Sequence, residues 1–287
     1  MPEPPDRAPN DTSTEPPNAT DIHLTVESGI ATIVIDAPER GNALSADMRD
    51  RLADALDGCS GSLDVRAIVI TGAGDRHFCT GAQLGGPRTA AARPPGAPPR
   101  ASGDAARIIR RGWQRLISSV LDCEKPIIAA VNGTAAGGGA QLAMACDFVL
   151  MAEPARIIEV FVRRGIMPDA GASYLLPRIV GQHQAKALLM LGDDLSAADA
   201  HRIGIAMKVV PAADLPAEAH ALAERLASSP TRALAMTKWL LNRSFESSRA
   251  TAFEEEALAQ EAVSATDDAR EGMQAFAERR APTFRGW

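Results

Sequence analysis

Two glycine-containing turns hold the residues of this sequence that are best suited to bind a negatively charged group. Residues 71–84 read TGAGDRHFCTGAQL, and residues 133–147 read GTAAGGGAQLAMACD. The second turn runs into a helical pattern, and a helix N-terminus offers free backbone N–H groups and the positive end of the helix dipole. Glycine has no Cβ, so a ligand atom can approach these groups closely. The candidate ligands are a phosphate and the oxyanion that develops on a reacting carbonyl.

A nucleotide site does not fit the spacing of either turn. A dinucleotide-binding fingerprint needs GxGxxG, but the turn that begins at Gly72 has His77 at the sixth position. A phosphate-binding loop needs the triplet GK[ST], which the sequence lacks. An alternative stays open at this point, namely that the glycines at 137–139 only allow a helix to pack closely on a sheet.

Two of the acidic residues that follow the second turn, Asp169 and Glu159, are candidates for proton transfer. Asp169 stands in GIMPDAGASYLLPR, and in an apolar pocket its raised pKa would suit it to take a proton from one carbon and return it to another. The alternative is that Asp169 caps the following helix, because aspartate is a preferred N-cap residue. We expect Glu159 to be a solvated surface residue. Its alternative is a catalytic role, since an extended segment would place it on the same face as Phe161.

Alternating strands and helices must position these residues. Alternation of apolar and polar residues about Ser28-Gly29 predicts a hairpin. Buried strands are predicted at 67–71, 126–131 and 148–151, and helices at 44–56, 109–120 and from 141 onward. This order predicts an α/β fold with a parallel sheet at its centre.

The chain divides into four predicted parts. Residues 1–20 contain six prolines and almost nothing apolar, so we predict a disordered tail. Residues 21–210 form the core, which is interrupted by a proline-rich flexible loop at 85–103. Residues 211–287 form a helical region, with patterns at 217–227, 231–241 and 251–277. We expect this region to pack on a partner subunit, because its apolar faces are not closed.

The composition excludes several classes of partner. The net charge is −6, with 36 acidic and 30 basic residues and no long basic block, so nucleic acid is not expected. No segment approaches the roughly 18 apolar residues of a membrane span. The four cysteines show no metal-ligand spacing, which favours a reduced, cytoplasmic protein.

Six motifs, in order and spacing, resemble the crotonase superfamily of enoyl-CoA hydratases and isomerases. They are PERGNAL (38–44), IVITGAGDRHFCTGAQL (68–84), KPIIAAVNGTAAGGGAQLAMACD (125–147), GIMPDAGASYLLPRIVG (165–181), LSAADAHRIGIAMKVV (195–210) and EGMQAFAERRAPTFRG (271–286). The resemblance implies a spiral of ββα units with a helical C-terminal trimerisation region, and self-association as a homotrimer or hexamer. It also implies an acyl-CoA substrate, with no metal and no cofactor beyond the coenzyme A moiety.

The resemblance also assigns expected roles to residues. The family's oxyanion hole falls on the backbone N–H groups of Ala82 and Gly138, and each such donor is worth roughly 2.7–4 kcal/mol to a reaction through an enolate. The expected contacts to coenzyme A fall on Arg40, Ala43, Leu44, Gln83, Leu84 and Gly85. Arg88 and Arg280 are weaker candidates for the same ligand, with an ordinary surface charge as the alternative.

The reaction expected within the family depends on three positions. The two glutamates that the family uses for hydration fall on Gln141 and Phe161, and neither is acidic. Asp169 falls where the epoxyphenylacetyl-CoA isomerase group, which this segment resembles, has a catalytic aspartate. We therefore expect double-bond or ring isomerisation with Asp169 as proton shuttle. Two alternatives stay open: a hydratase that uses Glu159 or a water bound by Gln141, and a non-catalytic acyl-CoA binding protein.

Overall fold

The computed structural model describes residues 21–84, 95–98 and 102–287. The predicted tail at 1–20 and most of the predicted loop at 85–103 lie outside these residues. The strands are β1 (Asp21–Glu27), β2 (Ile30–Asp36), β3 (Ala67–Gly72), β4 (His77–Cys79), β5 (Ile127–Val131), β6 (Thr134–Ala136), β7 (Phe148–Ala152), β8 (Arg156–Ile158), β9 (Asp194–Ser196) and β10 (Lys208–Val210). The helices are α1 (Ala46–Gly61), α2 (Asp104–Arg111), α3 (Trp113–Leu121), α4 (Gly138–Ala145), α5 (Ala172–Leu191), α6 (Ala197–Arg202), α7 (Leu215–Ala227), α8 (Thr231–Arg243), α9 (Arg249–Ser264) and α10 (Asp267–Glu278).

Consecutive strands divide between two sheets. One sheet has the order β1-β2-β3-β5-β7-β10, and the other has the order β4-β6-β8-β9. The strand pairs β3-β4, β5-β6 and β7-β8 each give their first strand to the large sheet and their second strand to the small one, whereas β1 and β2 both lie in the large sheet. In the large sheet the neighbouring pairs β2-β3, β3-β5, β5-β7 and β7-β10 are all parallel. β5 is buried along its whole length, as expected for a strand covered on both faces. The predicted α/β spiral fold is confirmed.

Local sequence explains where the first elements begin. Ser28 and Gly29 both have positive φ, 51° and 80°, which is the geometry of the two-residue turns that join antiparallel strands. The predicted hairpin is thus present, with Glu27 paired to Ile30. Ser45 caps α1, because its hydroxyl accepts a hydrogen bond from Met48 N at 3.1 Å.

Two predicted helices are each divided in the structure. The pattern at 109–120 belongs to α2 and α3, which are separated by Gly112. A Cβ on Gly112 would lie 2.6 Å from Arg49 Nη1 and 2.7 Å from Ile108 O, so the close approach of these groups requires glycine. The pattern at 251–277 belongs to α9 and α10, because the Thr266 side chain caps a new helix there. None of the helices in the described ranges is long and apolar enough to cross a membrane.

Candidate functional site

The two glycine turns follow neighbouring parallel strands of the small sheet. β4 pairs with β6 in parallel, with Cys79 opposite Ala135. Because both strands run in the same direction, the turn that contains Gly81 and the turn at 137–139 leave from the same edge of the sheet. The carboxyl edge of parallel strands is where α/β proteins commonly bind ligands.

Gly81 lies directly against the N-terminus of α4. A Cβ on Gly81 would be 3.2 Å from Gly138 N and 2.9 Å from Ala136 O. The φ of Gly81 is 91°, a value that L residues rarely adopt, so both conformation and contact favour glycine. This close approach brings Ala82, the next residue, beside Gly138. The structure therefore brings together the two residues that the sequence predicts for an oxyanion hole.

The backbone N–H groups of Ala82 and Gly138 have no backbone acceptor among the residues that the structure describes. Ala82 forms an isolated parallel bridge with Leu44, in which Leu44 N donates to Gly81 O at 2.8 Å and Gln83 N donates to Leu44 O at 2.9 Å. The Ala82 N–H takes no part in that bridge. Gly138 opens α4, and the first N–H groups of a helix have no intrahelical acceptor. Within the described residues neither group donates to another backbone atom.

Trp113 is a residue of this site that the sequence did not reveal. Its ring covers Gly138, because a Cβ on Gly138 would lie 2.7 Å from three ring carbons of Trp113. Trp113 is 8% exposed, so the ring forms an apolar wall beside the N–H group. In the sequence it is recognisable only as an apolar position of a helix, and nothing local connects it with a glycine 25 residues later.

Asp169 does not cap the helix that follows it. The N-cap position of α5 is Gly171, and it has no side-chain cap hydrogen bond. Only the backbone oxygen of Asp169 is used there, accepting from Ala172 N at 3.0 Å. The capping alternative is therefore wrong. The carboxylate is half-buried, and burial raises its pKa above the ordinary value. It has no hydrogen-bond or ion-pair partner among the residues that the structure describes.

A cavity of about 550 Å³ opens beside the Asp169 carboxylate. Its wall combines apolar side chains with three polar ones besides the acid. The lining residues are Ile109, Gln114, Ile166, Met167, Pro168, Asp169, Gly171, Ser173 and Tyr174. Helix α3 contacts both this cavity and the second glycine turn. Gln114 lines the cavity, and the preceding residue, Trp113, covers Gly138. Sequence patterns gave no sign of Gln114 or Tyr174 in this role.

Glu159 is buried, so the expectation of a solvated surface residue is wrong. It is 2% exposed, and Gln141 is fully buried. The Gln141 Nε2 atom donates a hydrogen bond to Glu159 Oε1 at 2.7 Å. Burial raises the pKa of Glu159 to about 7, although the Gln141 hydrogen bond acts in the opposite direction. The sequence signal that could have found this residue was its place directly after the apolar strand β8.

The residues predicted to contact coenzyme A differ in how accessible their side chains are. Arg40 and Gln83 form a polar pair beside the Ala82 turn, with Arg40 Nη1 donating to Gln83 Oε1 at 3.2 Å. The side chains of Ala43 and Leu44 are buried, so they offer no side-chain atoms to a ligand. Leu84 is 68% exposed at the end of the turn.

Three other predicted features are less informative. Gly85 and Arg88 lie outside the described residues. Arg280 is engaged within the chain, because it forms salt bridges with Glu271 and Glu278, each at 2.6 Å. Among residues 21–84, 95–98 and 102–287, no three His, Cys, Asp or Glu side chains cluster as metal ligands would.

The comparison with known families matches almost the whole described chain. The profile described as enoyl-CoA hydratase/isomerase matches residues 25–286. This range contains both glycine turns, the Gln141–Glu159 pair and Asp169.

Individual relatives include both isomerases and hydratases. The chain is 35% identical to a 1,2-epoxyphenylacetyl-CoA isomerase of Escherichia coli, over 91% of this chain and 97% of that protein. It is also 35% identical to a crotonyl-CoA hydratase of Syntrophomonas wolfei, over 92% of this chain and 97% of that protein. A crystal structure of an enoyl-CoA hydratase from Bacillus anthracis superposes with a TM-score of 0.83 at 29% identity, and the match covers 93% of this chain and all of that one.

Proposed function

This chain belongs to the enoyl-CoA hydratase/isomerase family of enzymes, which act on acyl-CoA, and we propose that its principal reaction is the isomerisation of an enoyl-CoA. The relatives carry names of both reaction types, so the choice rests on the site. One observation carries it: the Asp169 carboxylate is half-buried, has a raised pKa, lines a partly apolar cavity and has no hydrogen-bond or ion-pair partner in the described residues. A carboxylate in such surroundings is suited to move a proton between carbon atoms.

The proposed reaction moves one proton along the acyl chain. Asp169 removes a proton from C2 of a 3-enoyl thioester, and the electron pair passes to the carbonyl oxygen as a dienolate. The N–H groups of Ala82 and Gly138 hold that oxygen, since preorganised donors in a dry site stabilise developing negative charge. The protonated Asp169 then delivers the proton to C4, and the double bond forms between C2 and C3. No atom is gained or lost, and the carboxylate is restored.

The binding of the coenzyme A moiety is proposed on the side of the Ala82 turn. Arg40 is 34% exposed at its side chain and can turn its guanidinium toward a phosphate, which it recognises well. Gln83 and Leu84 flank the same turn, and Gly85 follows them. Assembly into a trimer or hexamer through the C-terminal helices remains part of this proposal.

The test follows a 3-enoyl-CoA by absorbance of the conjugated thioester and by mass. We expect conversion to the 2-enoyl isomer without a change of mass, and incorporation of solvent deuterium at C2 and C4. Asp169→Asn keeps the size of the side chain but cannot shuttle a proton, so the rate should fall by about 10²- to 10⁴-fold. Asp193→Asn, at an exposed aspartate, is the matched control. Full isomerisation by Asp169→Asn would contradict the proposal.

The binding-only alternative gives a different result in the same experiment. A protein that only holds acyl-CoA would bind the thioester and return it unchanged, with no deuterium in the acyl chain. Exchange of deuterium at C2 without movement of the double bond would indicate that the dienolate forms but that C4 lies out of reach of Asp169.

A further inference from the structure

Tyr174 lines two cavities of this structure. One is the cavity of about 550 Å³ that Asp169 also lines. The second cavity has a volume of about 450 Å³ and is lined mainly by residues of α4, α5 and α8. Tyr174 lies in the first turn of α5 and is half-buried. It therefore belongs to the wall that the two cavities share.

The second cavity is suited to an aliphatic chain. Most of its lining side chains are apolar, among them Met144, Leu175, Ile179, Leu234 and Leu241. Its charged side chains are paired, because Lys238 Nζ lies 2.9 Å from Asp147 Oδ2 and Arg178 Nη2 lies 3.6 Å from Glu246 Oε1. These described lining residues thus offer no unpaired charge to a polar ligand, and a mainly apolar pocket binds apolar groups.

Arg178 and Glu246 hold the Tyr174 ring in the shared wall. Arg178 stands one helical turn after Tyr174, and its guanidinium lies over the ring with Cζ 3.7 Å from the ring centroid. Arg178 Nη1 also donates to Tyr174 O at 2.9 Å. Hydrogen bonding to the Glu246 carboxylate raises the pKa of the Tyr174 phenol. Because Arg178 itself lines the second cavity, the ring beneath it lies on that side of the wall.

We propose that Tyr174 limits the length of the acyl group that this chain binds, because its ring closes the Asp169 cavity toward the second cavity. The inference rests on the proposed function, in which the reacting carbons lie beside Asp169. An acyl chain that extends along the cavity from those carbons meets the ring. The apolar space behind the ring is then closed to it, so further methylene groups of a longer chain gain no burial.

The length limit predicts a break in affinity. Each CH₂ group that moves from water into an apolar cavity raises the affinity about fourfold. The affinity of the unmodified protein should therefore rise with chain length and level off at the length that reaches the ring. Removal of the ring should move this break to longer chains, because the second cavity then accepts the additional methylene groups.

The test measures dissociation constants of saturated acyl-CoA thioesters, from butyryl-CoA to dodecanoyl-CoA, by calorimetry. In Tyr174→Ala the affinity for dodecanoyl-CoA relative to butyryl-CoA should increase by at least about tenfold over the ratio in the unmodified protein. Tyr174→Phe keeps the ring beneath Arg178, so its break should stay at the same chain length. Tyr174→Leu also removes the ring and serves if Tyr174→Ala does not fold.

The double variant Tyr174→Ala, Thr237→Trp identifies where the additional methylene groups bind. Thr237 lines the second cavity from α8, and an indole at this position fills space there, so the double variant should lose the gain for dodecanoyl-CoA. Three results would each overturn the proposal: affinity that rises without a break in the unmodified protein, a break that does not move when the ring is removed, or a gain that persists in the double variant.

The same measurements separate the length limit from the proposed reaction. Saturated thioesters have no double bond to move, and the break should also appear in Asp169→Asn, which cannot shuttle a proton. If a 3-enoyl-CoA is not isomerised but the break moves in Tyr174→Ala, the proposed reaction is wrong and the length limit stands. If Asp169 isomerises the 3-enoyl-CoA but the break does not move, the length limit is wrong and the reaction stands.

Discussion

The indole ring of Trp113 occupies the space that a side chain at Gly138 would need, since a Cβ there would lie 2.7 Å from three ring carbons. Contacts below about 3 Å force something to move, and here the neighbour is a buried ring rather than the end of a flexible chain. The ring and the glycine therefore fix each other. The position of the Gly138 N–H depends on this contact, although Trp113 supplies no polar atom to it.

Gly138→Ala should leave the protein folded but lower its turnover. We expect a loss of about 10²-fold, because a displacement of the donor near 1 Å costs on that order. The double variant Gly138→Ala, Trp113→Leu should recover part of the loss, since the smaller side chain makes room for the methyl group. If the single variant keeps full activity, the contact does not position the N–H group.

Two other glycine substitutions serve as controls for this experiment. A Cβ on Gly139 would lie 2.0 Å from the backbone oxygen of Cys79, so Gly139→Ala should prevent folding, as seen by circular dichroism and loss of soluble protein. Gly58 in α1 has nothing within 4 Å of its Cβ position. Gly58→Ala should therefore stabilise the protein slightly, by roughly 0.4–1 kcal/mol, and leave activity unchanged.

Arg40→Gln should weaken binding of the coenzyme A moiety without changing the chemical step. The guanidinium lies beside the Ala82 turn through its hydrogen bond to Gln83, and loss of one charge-assisted contact worth about 1.4 kcal/mol raises KM tenfold. We expect kcat to be unchanged. The same acyl group on pantetheine, which lacks the adenosine phosphates, should show no change in KM. Arg225→Gln, at an exposed arginine of α7, is the matched control; an equal rise of KM for the pantetheine thioester would exclude a contact to phosphate.

The sequence predicted the elements of this site better than their mutual contacts. Apolar runs and turn residues located the strands and the hairpin at Ser28, because such patterns reflect local burial and backbone conformation. Ala82 and Gly138 were predicted by a resemblance of motifs, whereas the close approach of Gly81 to Gly138 depends on the parallel pairing of β4 with β6. Trp113 could not be placed there, since its contact with Gly138 is made in three dimensions only.

Glu159 shows most clearly where reasoning from residue type fails. Glutamate is usually exposed, and this prior made a surface position the better expectation. The burial of Glu159 is decided by the pairing of β8 with β6 and by the amide of Gln141, which lies 18 residues earlier. Functional sites are where such local rules are commonly violated.

Glu159→Gln should increase stability in a pH-dependent manner. The folded protein raises the pKa of Glu159 from the ordinary 4.5 to about 7, so the folded state binds this proton more tightly than the unfolded state does. The contribution of Glu159 to stability is therefore lost as the pH rises from about 4.5 to about 7. A shift of this size corresponds to a loss on the order of 3 kcal/mol.

The glutamine variant does not titrate and avoids that loss. Relative to the unmodified protein, its free energy of unfolding in urea should increase by on the order of 3 kcal/mol between pH 4.5 and pH 8. Glu256→Gln, at an exposed glutamate of α9, should show no such trend. A constant difference between Glu159→Gln and the unmodified protein at all pH values would mean that Glu159 is not held in a desolvated site.

Lys238→Met should weaken the packing of α8 on the core and lower the stability of the protein. The ammonium group is 7% exposed at its side chain and lies 2.9 Å from Asp147 Oδ2; it also donates to the backbone oxygens of Val120 at 2.9 Å and Lys125 at 3.2 Å. The variant leaves the Asp147 carboxylate without its counter-charge, and removing one partner of a buried pair costs about 3–5 kcal/mol. We expect this decrease in the free energy of unfolding measured in urea.

The double variant Lys238→Met, Asp147→Asn identifies the cause of that loss. It removes the unpaired charge, while the remaining side-chain oxygen can still accept the hydrogen bond that Ile127 N donates to Asp147 at 2.8 Å. The double variant should therefore be more stable than the sum of the two single effects by roughly 0.5–3 kcal/mol. Lys186→Met, at an exposed lysine of α5, should stay within about 0.5 kcal/mol of the unmodified protein. Strict additivity of the two single substitutions would show that Lys238 stabilises α8 through the backbone oxygens alone and not through its charge.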